Sequence, residues 1–223
     1  MSQLDHEIKL LKEEVISMWK MVHSQLEKGL SALLNNDKDL AREIVMIESR
    51  VNAEELKIDR DCEDIFALYC PVAVDLRFLL AVLKINTNLE RTGDIAEGIA
   101  KMIIDTEKPF ESDLLDTTHV IEMYHEATLI VQEILTAFVN EDSAIARSIF
   151  RRDEMLDNIN RKANKMIADY INTHPENVEQ ALSLLSIIRR LERVGDQAEN
   201  IAEEIIFYLE AKVLKHAKKK EIE

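Results

Sequence analysis

A chain of 223 residues that is 47% apolar, with only four glycines and three prolines, has material for one large or two small cores and room for few chain reversals. That combination points to a small number of long helices. The net charge of -15 repels phosphodiester backbones and attracts cations, so no nucleic-acid partner is expected. No stretch approaches the ~18 uninterrupted apolar residues of a membrane span, and the opening MSQLDHEIKLLKEEV has no apolar leader. A cytoplasmic protein is expected. Its two cysteines, Cys62 and Cys70, lie eight apart on one predicted helix, too far along the axis to bridge, and read as reduced thiols.

Apolar residues recur at helical spacing from about 4 to 34 (Leu4, Ile8, Leu11, Val15, Met18, Val22, Leu26, Leu30) until NNDK at 35–38 interrupts them. Periodicity resumes over about 38–69, stops at Pro71, runs again to about 107 and stops at Pro109, because proline cannot continue the hydrogen-bond ladder. The second half repeats this plan. NEDS at 140–143 stands for NNDK, THPEN at 173–177 stands for the Pro71 turn, and LAREI at 40–44 aligns with IARSI at 145–149 at an offset of 105. The spacing predicts an all-α fold of six helices, each about 45 Å long at ~1.5 Å per residue. They are grouped as two tandem antiparallel three-helix bundles, residues 1–109 and 110–223. One continuous six-helix bundle is the alternative.

LERTGDIAEGIA at 89–100 and LERVGDQAENIA at 191–202 are identical at nine of twelve positions, at an offset of 102. In each copy Leu, Gly, Ala and Ala (Leu89, Gly93, Ala96, Ala100; Leu191, Gly195, Ala198, Ala202) share one helix face. A mid-helix glycine costs about 1 kcal/mol against alanine, so its presence in both copies predicts a closely approaching neighbour.

Beside that face stand Glu90 with Asp94 and Glu192 with Asp196, each pair at i, i+4. Like charges so placed repel, the more so near a helix contact, unless a proton or cation compensates them. Folding back about Pro71 sets Glu48 level with Asp94 and Asn52 level with Glu90. Folding back about His174–Pro175 sets Asp153 level with Asp196 and Asp157 level with Glu192. Two oxygen-lined boxes result, Glu48, Asn52, Glu90, Asp94 and Asp153, Asp157, Glu192, Asp196, with Glu97 and Glu199 continuing the stripe. Oxygen-only boxes suit hard cations such as Mg, Ca, Mn or ferric iron. A lone Glu-X-X-X-Asp is ordinarily a solvated face, ion-paired here with Arg91 or Arg193. Four pairs in two matching registers favour metal binding over that reading.

PVAVDLRFLLAVLKINTNLERTGDIAEGIAKMI at 71–103 and LERVGDQAENIAEEI at 191–205 resemble the two copies of the PhoU family block, and the resemblance covers essentially the whole chain. PhoU proteins are accessory proteins of bacterial phosphate signalling. The resemblance implies two three-helix bundles and multinuclear metal clusters held by E/D-X-X-X-D motifs, with iron foremost and Mg, Mn, Ca or Zn as alternatives. It implies negative regulation of the phosphate-starvation response. A non-enzymatic adaptor, expected to be a homodimer, would link the ATPase subunit of the phosphate ABC transporter to a membrane sensor histidine kinase and touch the membrane only peripherally, through those partners. Glu90, Asp94, Glu192, Asp196, Asp153 and Asp157 match the motif, as does Glu48, whereas Asn52 departs from its final aspartate. Arg77 fits the family's Asp-Leu-Arg piece without an assignable role.

Two other functions compete. A di-iron redox enzyme needs two Glu-X-X-His motifs plus two further glutamates, and the chain has one, Glu122 to His125. A metal-free helical scaffold would be indifferent to chelators. The C-terminal KVLKHAKKKE reads as a solvated helix end whose lysines offset the helix dipole. No basic nest for phosphate is evident, so phosphate status is expected to be sensed through partners docked on the outer helix faces.

Overall fold

Helix α1 (Gln3–Asn35) starts where Ser2 and Asp5 close a capping box, the Asp5 amide donating to Ser2 Oγ at 3.1 Å and the Ser2 amide to Asp5 Oδ2 at 2.6 Å. It ends at Asn36, in the left-handed region at φ 50°. The next residue, Asp37, accepts from the amides of Asp39 and Leu40 at 3.1 and 2.9 Å and so opens α2 (Lys38–Tyr69). Cys70 closes α2 in the left-handed region, Pro71 follows, and α3 spans Ala73–Asp105. These belong to a computed structural model that describes residues 2–214, within which all regular structure is helical.

The second half repeats the turn chemistry. Glu141 takes the left-handed conformation, and Asp142 accepts from the amides of Ala144 and Ile145 at 2.8 and 3.1 Å. The Asp37 and Asp142 amides each donate at 3.0 Å to the carbonyl five residues back, Ala32 and Ala137. Asp142 opens α6 (Ser143–Thr173), Pro175–Asn177 forms a 3-10 turn, and α7 spans Val178–Glu210.

Two expectations fail locally. The fourth long helix is divided into α4 (Ser112–Thr118) and α5 (Val120–Asn140), because His119 adopts φ 55° and interrupts the helix. Thr118 Oγ1 turns back to the carbonyls of Leu114 and Leu115, and the Gln180 side chain holds the preceding loop through the Glu111 amide and the Pro109 carbonyl. Neither His119 nor Gln180 is a typical breaker, so the sequence gives no warning. At the other end α7 stops at Glu210 with Ala211 in the left-handed region. Lys212–Leu214 are therefore not helical, and the rest of the lysine tail lies outside the described residues.

Helices α1, α2 and α3 form one antiparallel bundle, and α5, α6 and α7 form the second. The bundles join along α3 against α7 and α1 against α5. The join is dry. Trp19, Phe78, Phe138 and Tyr208, one from each of α1, α3, α5 and α7, form a chain of ring contacts with centroids 5.4 to 6.3 Å apart. Buried Trp19 also donates its indole N–H to the Val131 carbonyl at 3.1 Å. One hydrophobic cluster therefore runs through both bundles. No helix among the described residues is long and apolar enough to cross a membrane.

Candidate functional site

The core-facing stripe of α2 reads Ala41, Ile44, Glu48, Val51, Ile58, and that of α6 reads Ala146, Ile149, Asp153, Leu156. Each carries one acid where an apolar residue is expected. Glu48 is 3% exposed and Asp153 is 1% exposed. Both acids lie against the repeated glycines. A Cβ on Gly93 would stand 2.7 Å from Glu48 Oε2 and 3.3 Å from Val51 Cγ1; a Cβ on Gly195 would fall on Asp153 Oδ1 and stand 3.1 Å from Leu156 Cδ2. The offset of 105 that relates Glu48 to Asp153 also relates Val51 to Leu156. The glycines of the two LERxGD motifs are thus seats for two buried carboxyl groups, and the close neighbour expected from the sequence is α2 in one copy and α6 in the other.

In the first copy Gln25 of α1 completes the arrangement. Its side-chain amide donates to Glu48 Oε2 at 2.8 Å and to the Ile44 carbonyl at 3.3 Å, while Glu48 Oε1 is buried without a hydrogen-bond partner. Burial pushes the Glu48 carboxyl up to about 7. The Gln25 bond opposes that shift, and the charges of Asp94, Glu97 and Glu90 add to it. Glu90 is also held above the ordinary glutamate range, first by burial, then by Asp94 and by Glu55 of α2. Glu55 is raised in turn by burial, Asp59 and Asp94. Asn86 on α3 fixes this wall by donating to the Glu55 carbonyl and to Asp59 Oδ1, each at 2.9 Å.

The second copy differs in one respect. The counterpart of Gln25 at the same offset is Ile130, so α5 lends no equivalent amide. Glu192 is raised by burial, Asp196 and Asp157, against a stabilising hydrogen bond from Asn160.

Of the expected site residues, Glu48, Glu90 and Asp94 interact in the first copy, and Asp157, Glu192 and Asp196 in the second, with Asp153 buried beside Gly195. Asn52 is exposed, and the carboxylate of α2 that acts on Glu90 is Glu55. Among the described residues no three His, Cys, Asp or Glu side chains stand as a ready-made site for one ion. The two copies are acidic faces backed by a buried acid. Gln25, Glu55, Asp59, Asn86 and Asn160 were missed from the sequence. Gln25 had a signal, since it sits on the apolar stripe Met18, Val22, Gly29 of α1. Glu122 and His125, the single Glu-X-X-His motif, are both exposed, and Glu122 pairs with His119 at 3.3 Å.

The family model for the PhoU domain matches twice, at residues 15–103 and 120–205. The phosphate-specific transport system accessory protein PhoU of Edwardsiella tarda is 30% identical over 219 residues, covering 96% of this chain and 87% of that protein. The PhoU homolog of Aquifex aeolicus is 31% identical over 220 residues, covering 98% of each. The crystal structure of PhoU from Pseudomonas aeruginosa superposes with a TM-score of 0.85 at 28% identity, covering 94% of this chain and all of that one. The phosphate transport system regulatory protein PhoU of Streptococcus pneumoniae also gives a TM-score of 0.85, at 26% identity.

Proposed function

The chain belongs to the PhoU family, and from that premise we propose that it is a cytoplasmic, metal-binding accessory protein of phosphate transport. In this reading it restrains phosphate uptake and represses the phosphate-starvation response by linking the ATPase subunit of a phosphate ABC transporter to a membrane sensor histidine kinase. It acts as an adaptor and not as an enzyme, as the names accessory and regulatory protein carried by its relatives suggest.

The observation that carries the metal part is the buried acid at each repeated glycine. A carboxyl taken out of water with an oxygen left unpartnered, as Glu48 is, stays ionised only beside a compensating cation; otherwise it holds a proton. The donor set is all oxygen and suits a hard cation such as Mg, Ca, Mn or ferric iron, and the family resemblance puts iron foremost. Glu48, Glu90 and Asp94, with Glu55 and Asp59, would hold it in the first copy, and Asp153, Asp157, Glu192 and Asp196 in the second. A bound cation supplies the positive charge that lets these acids ionise together, and so fixes the α2–α3 and α6–α7 faces as rigid surfaces.

The test is a starvation-regulon reporter in phosphate-replete cells lacking this chain. We expect the reporter to be active, to be silenced by the wild type, and to stay active with a folded Glu192→Ala/Asp196→Ala variant. A reporter that is silent without the chain overturns the reading.

A further inference from the structure

Gly98 is one of only three positions at which the two twelve-residue motifs differ, the second copy having Asn200 there. It is also a mid-helix glycine, disfavoured in α3 on propensity alone, and no buried acid lies against it. Its neighbour is Arg190 of α7. A Cβ at position 98 would fall on Arg190 Nη1 and stand 2.9 Å from Cζ and 3.5 Å from Nη2. The half-buried guanidinium therefore rests on the bare backbone of α3. At the motif offset the counterpart of Arg190 is Asn88, so this seat occurs once per molecule, at the junction of the two repeats.

Around the seat is a groove of about 370 Å³ between α3 and α7, whose charged lining is Arg91, Asp94, Glu97, Lys101, Arg190 and Arg193. Four cations face two acids, in a protein of net charge -15. Lys101 is already taken by Glu97, at 2.6 Å. Arg91 and Arg193 act on Glu90 and Glu192 only through space. Among the described residues no ion pair engages Arg91, Arg190 or Arg193. Arg91 and Arg193 are exposed and Arg190 is half-buried, so three guanidinium groups, none ion-paired among the described residues, line one groove of an acidic chain.

We propose that this groove is an oxyanion site that takes a phosphoryl group. Guanidinium forks match two oxygens at a time on a tetrahedral anion, and Arg190, lying on the bare backbone at Gly98, forms the floor of the site. Asp94 on the wall repels a fully ionised anion but accepts a hydrogen bond from an oxygen that still carries a proton. Monohydrogen phosphate has such an oxygen and sulfate does not, so the groove selects phosphate over sulfate. Phosphate is then read by the chain itself, contrary to the expectation of indirect sensing. This proposal gives the adaptor reading its signal but does not rest on the metal.

The experiment is calorimetric titration of the full chain, in chelator, with inorganic phosphate, with sulfate, and with phosphatidylglycerol or phosphatidylcholine vesicles. The chelator separates the outcome from that of the metal reading. We expect phosphate to bind at least ~tenfold more tightly than sulfate, since a site built around a substrate proton rejects the analogue lacking it. Arg190→Gln should abolish that binding. Gly98→Ala should weaken it while the protein stays folded, because only the mobile tip of Arg190 is displaced and the charge is unchanged. Binding of phosphatidylglycerol vesicles, but not phosphatidylcholine, with the same dependence on Arg190 and no response to free phosphate, assigns the site to a lipid headgroup. Absence of binding by phosphate and by vesicles, or binding unchanged in both variants, overturns the proposal. Equal affinity for sulfate overturns the role of Asp94.

Discussion

Adding one methyl group at each of three glycines separates helix propensity from carboxylate seating. Glycine to alanine in mid-helix is by itself stabilising by about 1 kcal/mol. At Gly93 the new Cβ would stand 2.7 Å from Glu48 Oε2 and 3.3 Å from Gln25 Oε1, and Glu48 is buried and tethered by Gln25. At Gly195 it would fall on Asp153 Oδ1 and lie 3.2 Å from Asp153 Cγ, so the whole carboxyl group must move. Overpacking of this kind costs ~1 to 3 kcal/mol. The net for Gly93→Ala is a loss of about 1 kcal/mol, and for Gly195→Ala about 2 kcal/mol, by the difference of those two effects. At Gly98 the obstacle is the end of a flexible arginine, so the helix gain survives. Thermal unfolding followed by circular dichroism should show Tm lowered by about 3 °C in Gly93→Ala, lowered by about 6 °C in Gly195→Ala and raised by about 3 °C in Gly98→Ala. A rise in Tm at all three positions would mean that propensity alone governs them, and would refute the seating of Glu48 and Asp153 on the repeated glycines.

Glu48 makes stability depend on pH. Its folded value of about 7 lies above the ordinary 4.5, so the folded chain holds this proton more tightly than the unfolded one, and stability falls as pH rises between those values. The full penalty, ~3 kcal/mol at most, applies above about pH 7. In chelated buffer Glu48→Gln should flatten the denaturation midpoint across that window and be the more stable protein at pH 8; an unchanged slope would count against a buried, proton-holding Glu48. Asp37→Ala and Asp142→Ala should each cost about 1 kcal/mol through loss of a cap, and the double variant about the sum, since the two turns share no partner. Denaturant titration reads both effects, and a negligible loss in either variant would contradict the cap geometry. Burial pushes the Cys62 thiol up to about 12, with Asp59 and Asp61 adding to the shift, whereas Cys70 is exposed. A thiol reagent should find one fast equivalent in the native protein, lost in Cys70→Ser; two fast equivalents would place Cys62 wrongly.

The turns were readable because each is built from local chemistry. Asp37 and Asp142 cap in sequence as they do in space, and all three prolines fall where helices stop. The register of the facing acids was readable in part: Pro71 and Pro175 fix where each hairpin folds back and bring Glu48 to Gly93 and Asp94, but Glu55 and not Asn52 acts on Glu90. The break at His119 was not, since its left-handed backbone and the Gln180 clamp are imposed by tertiary packing. For the same reason Asn52 looked like a site residue. Its spacing from Glu48 suits a helix face, but the face that meets α3 is set by Glu48, Val51 and Glu55, and Asn52 lies exposed. The seat of Arg190 on Gly98 was hidden, because it depends on α3 and α7 crossing between repeats, which no intra-repeat register reports. Gln25 was visible in principle as a polar residue on an apolar stripe.

The central claim, that the two acidic faces hold metal, is tested most directly by elemental analysis of the purified, untagged protein beside the Glu192→Ala/Asp196→Ala variant. The account predicts bound metal in the wild type, iron foremost, with a lower stoichiometry in a variant of unchanged helicity. Wild-type protein that is metal-free and takes up no added Fe, Mn or Mg would contradict it, as would a stoichiometry unchanged in the variant.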